Sequence, residues 1–202
     1  RGIVAGLLML DKTKALQVVE RIGAVIATRL APSGATFRPE HLERLADSIV
    51  SLEYYMETVS AGRSHTCAID TDDHLWCWGK NHDGELGLGP DAGDRVVEPA
   101  AVAADRAFLA VAAGDAFTCA IALDRSLWCW GSNSYGQLGD GTNVQHNTPT
   151  PVSGGLTFAY LKAGDLSTCG VTTAGVGYCW GDNEYGQLGN GTRTASLVPT
   201  KI

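Results

Sequence analysis

Six cysteines in this 202-residue chain fall into three pairs, each spaced by ten residues: Cys67 and Cys77, Cys119 and Cys129, Cys169 and Cys179. Thiols so placed can form disulfides, hold a soft metal or pack as small apolar groups. Each pair brackets a polar turn. With the first turn centred on Asp72, Cys67 faces Cys77 and Ile69 faces Leu75 across an antiparallel hairpin. Directly opposed residues have Cα atoms about 4.5–5.5 Å apart, within the range a disulfide accepts. A slip of one residue would turn the two sulfurs to opposite faces. Disulfides are therefore expected at all three pairs, each closing a short loop worth about 3 kcal/mol or slightly less. With them comes an oxidising compartment, extracellular or periplasmic. The alternative is a cytoplasmic protein with buried free thiols. Zinc is disfavoured, because no repeat supplies a close Cys-x-x-Cys pair or a recurrent histidine. No metal and no cofactor is expected.

The other reactive side chains do not converge. His65 precedes the first Thr-Cys pair, but the equivalent positions hold Phe117 and Ser167, so His65 reads as structural. Asp72, Asp73 and Asp83 could contribute to a loop calcium site, yet the other repeats lack matching acids and solvated turn residues are the better reading. The run Gly136 to Thr142 has the glycines of a phosphate loop without its Lys-Ser/Thr ending or a following helix. Asn190-Gly191-Thr192 is a glycosylation sequon, although Asp140-Gly141-Thr142 fills the same turn one repeat earlier. No nucleophile, base and orienting group are brought together, and no catalytic residue is assigned.

What positions these residues is a repeat. Gly62 to Ile69 returns as Gly114 to Ile121 and again as Gly164 to Val171, 52 and then 50 residues apart. Each copy continues into Cys-Trp-Gly, at Trp78-Gly79, Trp130-Gly131 and Trp180-Gly181, and then into a turn closed by Gly87, Gly139 or Gly189. The recurrent Trp belongs to packing. A period of this size marks a propeller or solenoid, whose units bury their faces only by stacking. Within one unit, Ala110–Ala113, Phe117–Leu123 and Ser126–Trp130 are short β-runs. Val97–Ala100 and Pro149–Val152 contain prolines and read as edge strands. Four strands per unit is a propeller blade.

Residues 1–59 differ. Leu42, Leu45, Ile49, Leu52, Met56 and Val59 follow the seam of an amphipathic helix begun at Pro39. Leu16, Val19, Gly23, Ile26 and Leu30 mark an earlier one, and Pro32-Ser33-Gly34 separates the two. A helical hairpin, about 11–30 and 39–59, is expected before repeats spanning 60–202, with no linker at the junction. Residues 1–60 are neutral, whereas 61–202 carry eight Lys/Arg against fifteen Asp/Glu, the whole net charge of −7. Acidity of that kind excludes phosphate-backbone binding, so no nucleic acid is expected. No apolar run reaches the roughly 18–20 residues of a membrane span, and Gly2–Leu10 lacks the cleavage pattern of a signal peptide.

The string Gly-x-x-x-Thr-Cys-Ala-Ile, a hairpin, Cys-Trp-Gly-x-Asn and Gly-Gln-Leu-Gly-x-Gly-Thr resembles the regulator of chromosome condensation repeat, over about 140 of the 202 residues. The resemblance implies a mainly β fold, a partial, open β-propeller of about three four-stranded blades. That family closes about seven blades into a ring. Three cannot close it, so the chain, which begins at Arg1, reads as a fragment, an open arc or a piece that assembles with others. The first blade is expected to lack its leading strand because helix precedes it, and Leu197–Ile202 to begin a fourth. Open edges invite self-association.

Three functions follow. The leading one is a non-catalytic, exported module that presents rim loops to a protein partner. The second, implied by the resemblance, is nucleotide exchange on a small GTPase, which in the family needs a full ring and an inserted wedge; no insertion lies between these repeats. The third takes the helical segment as a phosphotransfer unit fused to a propeller. Leu45–Tyr55 resembles helices of histidine-phosphotransfer regions of bacterial chemosensory kinases, although His41 lacks their sequence context and reads as a solvated helix residue.

Overall fold

The computed structural model describes residues 58–202, which form a unit of their own. Of the hairpin expected at 11–30 and 39–59, all but residues 58 and 59 lies outside the described residues, and His41 with it. Among the described residues, twelve strands make three antiparallel four-stranded sheets. The first holds β1 (Thr58–Ala61), β2 (His65–Ile69), β3 (Leu75–Lys80) and β4 (Arg95–Val102). The second holds β5 (Phe108–Ala113), β6 (Phe117–Ala122), β7 (Leu127–Gly131) and β8 (His146–Pro151). The third holds β9 (Phe158–Ala163), β10 (Ser167–Thr172), β11 (Gly177–Gly181) and β12 (Ser196–Lys201). Strand order follows chain order in each sheet, so each is an up-and-down blade. The leading strands β1, β5 and β9 lie next to one another. The blades form an open array, with prolines in the outer strands β4, β8 and β12, where a missing N–H costs least.

Two expectations are corrected. The first blade has its leading strand: Thr58–Ala61 pairs with Thr66–Ile69. Thr58 and Val59, which the helical spacing includes, are β-branched, and the edge of β2 is there to receive them. Ser196–Lys201 is the outer strand of the third blade, hydrogen-bonded to β11, and does not open a fourth. Its Val198-Pro199-Thr200 is the counterpart of Thr148-Pro149-Thr150 in β8, which already read as an edge.

Burial follows the stacking. All six residues of β6 are buried, because the middle blade is covered on both faces, whereas β10 alternates as expected of a sheet with one face open. The glycine of each Cys-Trp-Gly marks a bulge where the pairing to the outer strand shifts. Gly131 has φ of +101°, and a Cβ there would lie 2.6 Å from the Ala116 carbonyl oxygen. Only glycine allows that conformation and that approach.

Each long loop after β3, β7 and β11 hangs on one buried asparagine. Asn133 Oδ1 accepts from the Leu138 N–H at 3.0 Å, and its Nδ2 donates to the Thr142 and Val144 carbonyls, each at 3.0 Å. Asn183 does the same with Leu188, Thr192 and Thr194. Asn81 bonds Leu86 N–H and the Gly93 carbonyl. A buried amide that satisfies several backbone groups cannot be removed without leaving them unpaired. Asn133→Ala is expected to cost about 2–4 kcal/mol. Urea denaturation would read this as a lower midpoint at unchanged slope.

Candidate functional site

The three cysteine pairs occupy one register position. Cys67, Cys119 and Cys169 stand opposite Cys77, Cys129 and Cys179 on paired strands, and each couple is joined by a disulfide with Cα atoms 4.1 Å apart. No cysteine is free. The bridges staple the two central strands of every blade.

Between blades a second device recurs. The backbone carbonyl of Glu85, in the loop after β3, accepts Thr118 Oγ1–H at 2.8 Å and Trp130 Nε1–H at 3.0 Å from the next blade. The carbonyl of Gln137 accepts Thr168 Oγ1–H at 2.8 Å and Trp180 Nε1–H at 3.0 Å. In each case Thr and Trp are cross-strand partners, so their donors reach one oxygen together. The indole then lies on Gly87 or Gly139: a Cβ on Gly87 would stand 2.6 Å from Trp130 Nε1, and one on Gly139 2.5 Å from Trp180 Nε1. This accounts for Trp130, Trp180, Gly87 and Gly139. Trp78 and Gly189, at the same positions of the outer faces, have no such neighbour among the described residues.

His65 sits inside the first of these interfaces. Thr118 Oγ1 spends its hydrogen on the Glu85 carbonyl, so at 2.8 Å it accepts from His65 Nε2–H. That fixes the neutral tautomer and leaves Nδ1 buried without a partner. Burial first, then the Lys80 ammonium, lowers the His65 pKa from 6.5 to about 4, against an opposing pull from Asp115. In the two sister blades Phe117 and Ser167 fill the place without a base, so this imidazole is a packing group.

The acids shape turns. Asp70 Oδ1 accepts Asp72 N–H and His74 N–H, and Oδ2 accepts Trp76 Nε1–H. Burial pushes its pKa up, but these bonds outweigh it and hold the group below its usual value. Asp83 bonds Lys80 Nζ at 2.9 Å, and no group of three or more His, Cys, Asp or Glu is placed to hold a metal among the described residues. The sequon residue Asn190 accepts Thr192 N–H and Oγ1–H, as Asp140 does from Thr142, so both are turn-formers. Gly62, Gly114 and Gly164 line an open, mixed-polarity cavity of about 520 Å³ with Arg63, Asp115 and Asp165, at the loop-bearing rim.

Sequence reasoning missed the carbonyl latches and the asparagine anchors. The first leave no side-chain signal at Glu85 or Gln137. The second had one, an Asn two residues after every Cys-Trp-Gly glycine.

The signature of the regulator of chromosome condensation (RCC1) repeat matches residues 72–121, 124–171 and 175–202, and a second version of it matches 57–85 and 108–137. The chain belongs to that repeat family. Residues 1–69 match the FimL C-terminal domain, a match that runs into β1 and β2, which the structure gives to the first blade. The RCC1 domain-containing protein RUG3, mitochondrial, of Arabidopsis thaliana is 36% identical over 103 residues, covering 48% of this chain and 23% of that protein. The probable E3 ubiquitin-protein ligase HERC6 of Homo sapiens is 39% identical over 98 residues, 46% of this chain and 10% of that one. Prp20p of Saccharomyces cerevisiae, whose structure was described with its binding to Gsp1p and histones, superposes with a TM-score of 0.66 at 24% identity, over 73% of this chain and 38% of that one. The chain thus spans less than two-fifths of each of these proteins.

Two measurements probe these interfaces. A base whose folded pKa is depressed gives stability that is whole above 6.5 and is lost as pH falls toward 4, because the unfolded chain takes up the proton first. For His65 the loss is about 3 kcal/mol across that window. His65→Phe is expected to remove that part of the acid-side slope in denaturation midpoints taken from pH 7 to 4. Gln137 Nε2 is also buried and unpartnered, whereas Gln187 Nε2 donates to Asp182 at 2.8 Å. Ser132 holds the position of Asp182, so Ser132→Asp is expected to stabilise by about 1 kcal/mol, read by thermal melting.

Proposed function

We propose that this chain is a non-catalytic protein-binding module of an exported protein, working in an oxidising space outside the cytoplasm or in a periplasm. The observation that carries the reading is the loop-bearing rim. Its loops are pinned from below by Asn81, Asn133 and Asn183, and its exposed groups are Tyr135, Tyr185, Asp165, Glu184 and Arg63 rather than any nucleophile with a base. Rigid loops bearing tyrosines and acids suit recognition of a partner with a basic, partly apolar face. The bridges at all three blades support the compartment, since disulfides do not persist in a reducing cytosol. Among the described residues no helix is long and apolar enough to cross a membrane.

We also propose a two-part organisation, a helical segment followed by the repeats, with the boundary moved from 59/60 to 57/58 because Thr58 and Val59 belong to β1; the separate match of residues 1–69 supports the two parts. Phosphotransfer at His41 and nucleotide exchange on a small GTPase are the competing activities. The likeness to Prp20p, at 24% identity, is one of fold and carries neither.

The test begins with thiol counting: protein alkylated during lysis of its native compartment, denatured and weighed. No labelled cysteine, and linked peptides 67–77, 119–129 and 169–179, is the expected result. Six labelled cysteines would return the protein to the cytosol, and acceleration of nucleotide release across a small-GTPase panel would replace the non-catalytic reading. For the rim, Tyr185→Ala with Asp165→Lys is expected to abolish capture of the native partner by cross-linking, while changes at the opposite turn, Asp124-Arg125, leave it intact.

A further inference from the structure

The first two blades part at their outer strands. A cleft of about 370 Å³ opens there between β4 and β8, lined by Leu88, Ala101, Ala103, Arg106, Trp128 and Pro149. Both walls belong to adjacent blades, so stacking at either end of the array leaves it open. The matching place between the second and third blades is laced by hydrogen bonds. Ser153 N–H donates to the Gly139 carbonyl at 2.9 Å and Ser153 Oγ–H to the Asp140 carbonyl at 2.8 Å. These bonds tie the linker after β8 to the loop before it. Leu156 and Tyr178 both pack against the core there.

In the first cleft each of these residues is exchanged. Ala103 stands for Ser153 and has no hydroxyl; Leu88 stands for Asp140, Arg106 for Leu156 and Trp128 for Tyr178. Among the described residues no backbone hydrogen bond joins Ala103 to Gly87. Ala103 instead turns with φ of +45°, in the left-handed region that a residue with a Cβ enters only at a cost. Its carbonyl accepts the Arg106 N–H at 2.8 Å. The linker after β8 places its positive φ at Gly154 and Gly155. The tight turn roots Arg106 so that its guanidinium lies over the Trp128 indole, with Cζ 3.7 Å from the ring centroid. The ring is itself aimed. Trp128 Nε1–H donates to Ser126 Oγ at 2.8 Å, and Ser126 donates through N–H and Oγ–H to Asp124.

A guanidinium stacked in this way keeps its N–H edges free. Among the described residues no carboxylate lies within ion-pair reach of Arg106. The Asp124 carboxyl is held below its usual range by its bonds from Ser126 and, more weakly, by Arg106, so it feels the guanidinium without binding it. Asp105 also lines the cleft, but it is exposed, and water screens it more than it screens the half-buried Arg106. What results is an apolar hollow with one planar cation at its edge. Such a cation takes a carboxylate through two parallel N–H bonds while an apolar group fills the hollow. Because the cleft is open along the outer strands, it suits a chain lying across it better than a small molecule, which needs enclosure.

We propose that this cleft binds an extended peptide segment of a partner protein. An apolar side chain of that segment enters between Leu88, Trp128 and Pro149, and the carboxylate of an adjacent Asp or Glu pairs with Arg106. The site is separate from the rim, and the inference does not rest on the role proposed for the rim.

The full 202-residue chain, isotope-labelled and with its disulfides intact, is titrated with peptides and followed by heteronuclear NMR at its indole N–H signals. The probes are acetylated, amidated hexapeptides in a Gly-Ser background, each with Leu, Ile, Phe or Trp beside a single Asp. Trp128→Tyr, which installs the residue of the third blade, assigns the Trp128 signal. At least one Asp peptide is expected to shift that signal saturably. Its Asn counterpart, equal in size but uncharged, is expected to bind about tenfold more weakly. Arg106→Leu, which installs the residue of the second cleft, is expected to abolish the shift at an unchanged melting temperature. Where the melt changes, Arg106→Gln replaces it. No saturable shift with any peptide of the set, an Asn counterpart of equal affinity, or a shift that survives loss of the guanidinium would each overturn the proposal. So would isocaproate binding as tightly as the peptide, which would make the cleft a site for free acids.

Discussion

One backbone oxygen at each blade–blade interface holds the array together. The Glu85 and Gln137 carbonyls lie in loops that a neighbouring blade covers, where an unpaired carbonyl would cost about 1–3 kcal/mol. Each is satisfied twice, by a threonine hydroxyl and an indole N–H that the antiparallel register places side by side. Much else follows from this demand. The tryptophan must stand across from the threonine. The glycine two residues past the carbonyl must leave room for the ring. The loop bearing the carbonyl must be immobile, which is the work of Asn81, Asn133 and Asn183. The disulfide one register step from the Thr–Trp couple locks the two strands that present the donors.

The same constraint explains the variation among the blades. The latch donors keep their identity in all three blades, as Thr66, Thr118 and Thr168 with Trp78, Trp130 and Trp180, whereas Ile69 and Ile121, each covered by a following blade, become the more exposed Val171. The position of His65, Phe117 and Ser167 also drifts, because it fills space beside the latch without contributing the essential donor. His65 adds a bond to Thr118 at the expense of an unpartnered buried Nδ1. Phenylalanine fills the same volume with no polar atom to satisfy.

Membership of the RCC1 repeat family fixes architecture and leaves activity to the surfaces. The rim and the two outer faces differ in kind. The rim is polar, acidic and loop-built. The outer faces carry, among the described residues, the strand register and small apolar residues that blades use among themselves.

The sequence by itself determined the repeat, the four-strand blade, the cysteine register and the open array. These are legible because they depend on local rules: strict alternation, turn residues at fixed offsets, and a period too long for one unit to bury its own face. The helical spacing through Met56 and Val59 hid β1, since a short strand carries little periodic signal and its assignment rests on the waiting edge of β2. Ser196–Lys201 was ambiguous for the same reason, because the choice between closing one blade and opening another depends on which edge is free. The latches and the tautomer of His65 were decided by tertiary structure alone. They are made by main-chain oxygens and by partners some thirty to fifty residues away, and a backbone carbonyl is the same in every residue until the fold brings a donor to it.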